Sequence, residues 1–308
     1  MFHALLPLAF VFALPSTGET SRFQLDVNLA ITPAADKWDD ERIVNRSALD
    51  GNGKLGFTVF SRRVVDDDAP PALQPFLQRV ARFTVSGSGY GGYLYESGDQ
   101  RFDYSGFTLA AHADGYIGRY VYWGASFGYD REQAAQADAG GCPDGGCTAY
   151  VEHLPFQVAA GVRLADTRLW ATWGATAYRS EDEAWQVRYW AHVGLRVYSV
   201  IHRHIEIGGG AQLLRSGFGL DFATTFWLGR RLGLGFGAFY RIGAPVDTPF
   251  GNVTGWTVGG DVSAKWWLTR RWALALDVSP RYGRVAELTD PNPTRASCVI
   301  TLGLSLRL

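Results

Sequence analysis

Three histidines, His112, His153 and His192, stand at alternating positions in extended-looking stretches, each on the face that carries the small and polar side chains. Asp114, Glu206, Asp221, Asp261 and Asp277 share that face, and so do Ser86, Ser88, Ser126 and Ser263. Imidazole, carboxylate and hydroxyl are the parts of a hydrolytic triad, in which the ring takes the hydroxyl proton and the acid orients the ring. No His–Ser pair here has the close spacing that a nucleophile and its base need, so the chain reads as a non-enzyme. The positive groups on the same face are Arg82, Arg163, Arg188, Arg196, Arg241, Lys265, Arg281 and Arg307, which outnumber the acids. Such a set suits a water-filled path with a weak preference for anions. It equally suits a self-neutralising network that fills an interior, since buried charges must pair. A filled or narrow interior is the expectation.

Other motifs carry less. Gly87-Ser-Gly89-Tyr-Gly-Gly92 fits GxGxxG, but a dinucleotide site needs strand, turn and helix in that order, and no helical pattern follows. Asp50-Gly51-Asn52-Gly53 starts like a calcium loop but lacks the later ligands and the closing glutamate, so a turn is expected there. Cys142 and Cys147 bracket Pro-Asp-Gly-Gly, which predicts a small loop disulfide in an oxidising compartment. No neighbouring histidine or second cysteine pair supports a metal site, and Cys298 has no evident partner. No cofactor is expected.

The elements that must position these side chains are strands. From residue 80 onward every second residue is apolar almost without interruption. Short breaks carrying arginine (Gly118-Arg119, Asp166-Thr167-Arg168, His202-Arg203-His204, Gly229-Arg230-Arg231, Thr269-Arg270-Arg271) alternate with mostly longer polar ones near 96–101, 131–148, 180–184, 215–218, 243–252 and 285–296. That is an up-and-down meander with tight turns at one end and looser loops at the other. It predicts twelve strands: about 80–95, 102–117, 120–130, 149–164, 168–179, 185–201, 204–214, 219–228, 231–242, 253–268, 271–284 and 297–308. Most exceed the ~5–6 residues usual in soluble sheets and reach the ~9–11 that a tilted membrane-crossing strand needs. Residues 22–32 alternate cleanly and 54–64 weakly; as an extra hairpin they would raise the number to fourteen. The acidic, proline-rich stretch 66–79 reads as a non-strand segment of one or two helical turns on the tight-turn side.

Composition sets bounds on function. The 308 residues carry a net charge of −1, 14% aromatic residues, 37 glycines and 11 tryptophans, and no basic run that would favour nucleic acid. No apolar stretch is long enough for a transmembrane helix, which says nothing against a barrel, whose two faces average out. The first 18 residues, with an apolar core from Ala4 to Leu14 followed by small residues, read as a secretory signal, although only His3 precedes the core. Residues 19–79 then form an N-terminal region and 80–308 the strand array.

Which face meets which medium decides the fold. A soluble sandwich turns its apolar face inward and shows water a face rich in Lys, Glu and Thr. Here the polar face is dominated by small residues, as in Gly233, Gly235 and Gly237 or Thr172, Gly174 and Thr176, which suits the cramped inside of a cylinder. The apolar face carries aromatics towards strand ends, among them Trp123, Tyr129, Trp173, Trp185, Tyr189, Phe226, Tyr240, Trp256, Trp266 and Trp272, and lone Lys and Glu read as absent from it. The closing strand, residues 296–308, keeps Ile300, Leu302, Leu304, Leu306 and Leu308 in one register. In this it resembles the carboxy-terminal strand of bacterial outer-membrane β-barrel proteins, although that family usually ends on an aromatic residue.

The resemblance is architectural. It implies an all-β, antiparallel transmembrane barrel in the cell outer membrane, surrounded by outer-membrane lipid and inserted by the barrel-assembly machinery, with tight turns periplasmic. Some members of the family are lipid hydrolases with Ser and His facing lipid, whereas the histidines here face the other way. The expected function is a structural barrel or a narrow passive channel; the alternatives are an anion-preferring porin and, further off, a lipid-modifying enzyme.

Overall fold

The computed structural model describes residues 22–37, 46–65, 68–96, 100–137, 147–180, 184–198, 204–214, 217–248, 251–284 and 294–308. The proposed signal and most of the loop carrying Cys142 lie outside them, as does the side chain of Cys147, so the disulfide falls outside the described residues. The strands are β1 (Phe23–Lys37), β2 (Arg46–Phe60), β3 (Arg82–Glu96), β4 (Gln100–Ile117), β5 (Val121–Ala137), β6 (Cys147–Leu164), β7 (Thr167–Ser180), β8 (Gln186–Tyr198), β9 (Ile205–Leu214), β10 (Gly217–Leu228), β11 (Leu232–Thr248), β12 (Gly251–Trp267), β13 (Trp272–Arg284) and β14 (Thr294–Arg307). Each pairs antiparallel with its sequence neighbours, and β1 pairs with β14 to close the barrel.

The barrel therefore has fourteen strands among the described residues rather than twelve. The N-terminal pair belongs to the wall: Leu25, Val27, Leu29 and Ile31 lie opposite Leu306, Leu304, Leu302 and Ile300. An unpaired edge in a bilayer would leave a row of backbone N–H and C=O groups without partners, so closure through β1 and β2 is what the lipid demands. The weak pattern of β2 comes from Asp50-Gly51-Asn52-Gly53, expected as a turn but found in mid-strand, paired to β1 on one side and β3 on the other. Two ladders of backbone bonds outweigh the local turn preference. Outward-facing Gly51 and Gly53 lie opposite Ile31 and Leu29 on β1, and the side chain of Leu29 comes close to Gly53.

Strands also run beyond the expected loop boundaries. β5 continues to Ala137 and β6 starts at Cys147, while β11 reaches Thr248 and β12 starts at Gly251. Above the membrane both faces meet water, so the ladder continues without the apolar alternation that marks it in sequence.

Burial is inverted relative to a soluble protein. Leu29, Leu302 and Phe127 are 61%, 60% and 54% exposed, and they point away from the lumen. The buried apolar residues instead gather at the turn end, in one cluster of Leu73, Trp227, Trp267 and Ala273 and another of Phe60, Val64 and Val80. Hydrophobic exteriors of this kind are stable only against acyl chains.

Small residues inside make room for large ones across the wall. A Cβ on Gly194 would fall 2.3 Å from the Trp170 ring, and one on Gly210 would fall 2.5 Å from the His192 ring. The tight β10–β11 turn needs Gly229 at φ +65°, a region that other residues adopt only under strain.

Candidate functional site

The chain between β2 and β3 does not turn back at the rim but enters the bore. Pro70 and Pro71 lead into a single helical turn, α1 (Gln74–Leu77), with a proline at its start, where the missing N–H costs nothing. Leu73 N–H donates to the Pro70 carbonyl and Val80 N–H to the Pro75 carbonyl, both at 2.9 Å, and Arg79 adopts φ 54° where the chain turns out towards β3. The Gln78 side-chain amide clasps the backbone of Val65 in both directions, donating to its carbonyl and accepting from its N–H.

The segment 68–80 touches opposite walls. On one side Leu73 packs with Trp227, Trp267 and Ala273 of β10, β12 and β13. From β14, Arg307 donates to the Pro71 carbonyl at 2.6 Å and stacks over the Trp267 ring at 4.7 Å. On the other side Arg163 of β6 donates to the carbonyls of Phe76 and Leu77, and its guanidinium lies 4.3 Å from the Phe76 ring centroid. Tyr116 of β4 meets Phe76 edge-on. A segment held by β4 and β6 on one side and by β10, β12, β13 and β14 on the other spans the lumen as a plug.

Two cavities lie above it. The lower, about 490 Å³, has Ala72 and Pro75 of the plug in its lining; Lys54, Arg82, Lys265 and Arg307 surround it, with Asp26 as the acid. The upper, about 520 Å³, is bordered by Asp221, Asp261, Arg241, His192, Trp170 and Phe239 among others. His112 and Gln157 line both, so the two spaces adjoin. Polarity therefore changes along the bore, from basic next to the plug to mixed and more acidic above it.

Each of the three histidines is bonded to a carboxylate. His112 Nε2 lies 3.2 Å from Asp114 Oδ1, which also accepts from Arg82 Nε at 2.5 Å. His192 Nε2 lies 3.1 Å from Asp221 Oδ1, and His153 Nδ1 3.2 Å from Asp130 Oδ2. Among the described residues no hydrogen bond joins these rings to a serine. Glu206 sits opposite Thr225, which continues through Gly235 to Ser263 in one inward row. Asp277 lies between Ser263 and Thr301. Arg241 and Arg281 bracket the Phe239 ring at 5.4 and 5.8 Å. The side chains of Arg188 and Arg196 lie outside the described residues.

Sequence reasoning missed several parts. Arg168, read as a turn residue, points inward over Tyr122 at 4.2 Å and Trp170 at 5.0 Å; strand phase counted from Trp170 would have found it. Lys54 and Asp26 follow from phase once β1 and β2 are in the wall, and Asp130 follows from the phase of Ser126 and Gly128 on β5. The plug contacts have no periodic signature. The expectation of no glutamate on the apolar face is overturned by Glu152, which faces outward between Arg131 and Arg179.

No family model and no curated protein matches the chain. Solved structures with a similar fold are bacterial outer-membrane barrels. TodX, a monoaromatic hydrocarbon channel, aligns over 95% of this chain and 91% of its own at 10% identity, TM-score 0.55. A Pseudomonas aeruginosa FadL homologue aligns over 92% and 89% at 10% identity, TM-score 0.52. The transport unit of the autotransporter AIDA-I from Escherichia coli aligns over 97% and 94% at 8% identity, TM-score 0.51. The chain has the fold of bacterial outer-membrane β-barrels.

Proposed function

We propose that this outer-membrane β-barrel is a narrow passive channel for small anions, closed at its turn end by the plug at residues 68–80. The observation that carries the reading is a plug spanning the bore directly beneath a cavity lined by Lys54, Arg82, Lys265 and Arg307 against Asp26, with Asp114 paired to Arg82 beside it, so that cations remain in excess. Cations lining a confined aqueous path lower the barrier for anions and raise it for cations. TodX is a hydrocarbon channel; the charged lining here favours a polar solute instead.

Arg163, Arg307 and Leu73 hold the plug across the bore. The indole N–H groups of Trp227 and Trp267 are buried beside it without an acceptor. A barrel with a purely structural role is the competing reading, favoured by the Arg82–Asp114 ion pair and by the His–Asp contacts that already engage part of the interior.

Liposome swelling tests the proposal. Vesicles carrying a chain with residues 69–78 replaced by a Gly-Ser linker should swell faster with small anionic solutes than with cationic ones of equal size. Equal rates for both, or no swelling at all, would leave only the structural barrel.

A further inference from the structure

Charged side chains on the lipid face of a barrel are costly at mid-bilayer and nearly free at its boundary, so an outward charge cluster marks a depth and asks for a partner. One such cluster stands on β5, β6 and β7. Arg131, Glu152 and Arg179 are direct cross-strand neighbours in a single row. All three share the phase of Phe127, Phe156 and Trp173, which face the membrane. The outward positions are apolar from Val121 to Tyr129 on β5, from Leu164 to Leu154 on β6 and from Leu169 to Ala177 on β7, and the row of charges follows on all three strands together. The row therefore lies where acyl chains give way to headgroups at the loop end.

The two arginines are fixed without being used up. Glu152 Oε2 accepts from Arg179 Nε at 2.5 Å and Oε1 from the Tyr129 hydroxyl at 2.6 Å, while Glu152 itself is nearly buried. The Arg179 guanidinium lies 4.9 Å from the Trp185 ring centroid, and that of Arg131 4.8 Å from Tyr150. A guanidinium has five N–H donors, and the Glu152 bond engages one of those of Arg179. Stacking and pairing thus hold two cationic forks on either side of a single carboxylate, with a net positive charge.

We propose that Arg131 and Arg179 form an exterior binding site for the phosphate of a lipid headgroup in the loop-end leaflet. Arginine forks match phosphate oxygens two at a time, and the ring-stacked guanidiniums lose little freedom on binding. Tyr129, Tyr150 and Trp185 supply the amphipathic surface beside the headgroup. The site is independent of the lumen and of whether anything passes through it.

Native mass spectrometry of the detergent-solubilised barrel titrated with phosphatidic acid or with phosphatidylcholine tests this. The wild-type chain should bind phosphatidic acid at least several-fold more tightly. Arg131→Gln/Arg179→Gln should abolish that preference, a loss of about tenfold, as expected for removing two charge-assisted contacts. Glu152→Gln keeps an acceptor for Arg179 and removes the like charge, so it should bind phosphatidic acid more tightly than wild type; it decides the matter if the double variant does not fold. Equal binding of the two lipids by the wild type, a preserved preference in the double variant, or weaker binding by Glu152→Gln would overturn the site.

Discussion

Arg307 and Pro71 stand 236 residues apart in the chain, yet the Arg307 Nη2 group donates to the Pro71 carbonyl at 2.6 Å. The closing strand thus holds the segment that crosses the bore, and its guanidinium is almost fully buried, stacked over Trp267. A cation withdrawn from water in this way is stable only while its partners stay in place.

Arg307→Gln and Arg163→Gln should each loosen the plug without opening the wall, since both side chains bind plug carbonyls. Hydrogen exchange across residues 69–78 should quicken on the order of tenfold or more in either variant, as the loss of a buried charge-assisted bond implies. Unchanged exchange would mean that these contacts do not hold the segment.

Leu73 is the apolar counterpart of those anchors, packed on Trp227, Trp267 and Ala273. Leu73→Ala should weaken plug docking by ~2–5 kcal/mol, the usual cost of emptying such a site. Boiled and unboiled protein should still migrate differently in detergent gels, because the barrel wall does not depend on Leu73. Loss of that difference would show that the plug supports the wall itself.

Adjacent residues on β12 separate inside from outside. Val262 is 53% exposed and faces lipid, whereas Asp261 lines the upper cavity. Val262→Arg should destabilise the folded barrel in micelles or bilayers by ~2–4 kcal/mol, as for a mid-bilayer arginine. Asp261→Arg should fold nearly as well as wild type and shift selectivity towards anions. The opposite order of stabilities in urea titration would reverse the two faces.

Gly194 tests the tightness of the wall. Its missing Cβ leaves room for the Trp170 indole on the next strand. Gly194→Val should cost ~1–3 kcal/mol through overpacking and change the near-ultraviolet circular dichroism of the tryptophans. An unaltered spectrum with full stability would show that Trp170 has another place to go.

Much of the barrel was legible because lipid imposes a strict period of two on β3 to β14, and the arginine-bearing turns mark where the chain reverses. The closing pair was harder to read, since Gly51 and Gly53 carry no side chain to report which face they occupy. The candidate site was legible by phase alone: Arg82, Asp114, His112 and His192 are where alternation puts them. The plug was not, because Leu73, Phe76 and Gln74 are placed by contacts with strands far away in sequence. Nor was Glu152, whose outward position is tolerated through the two arginines flanking it, a pairing that appears only once β5, β6 and β7 are in register.

Closure of a basic lumen by residues 68–80 is tested most directly by single-channel conductance in planar bilayers. The wild-type chain should show a largely closed level with rare, brief steps, and the chain with a Gly-Ser linker in place of residues 69–78 should show steady, larger steps. In a salt gradient the reversal potential of the latter should favour the anion. Indistinguishable conductance from the two chains, or a reversal potential favouring the cation, would contradict the plugged anion channel.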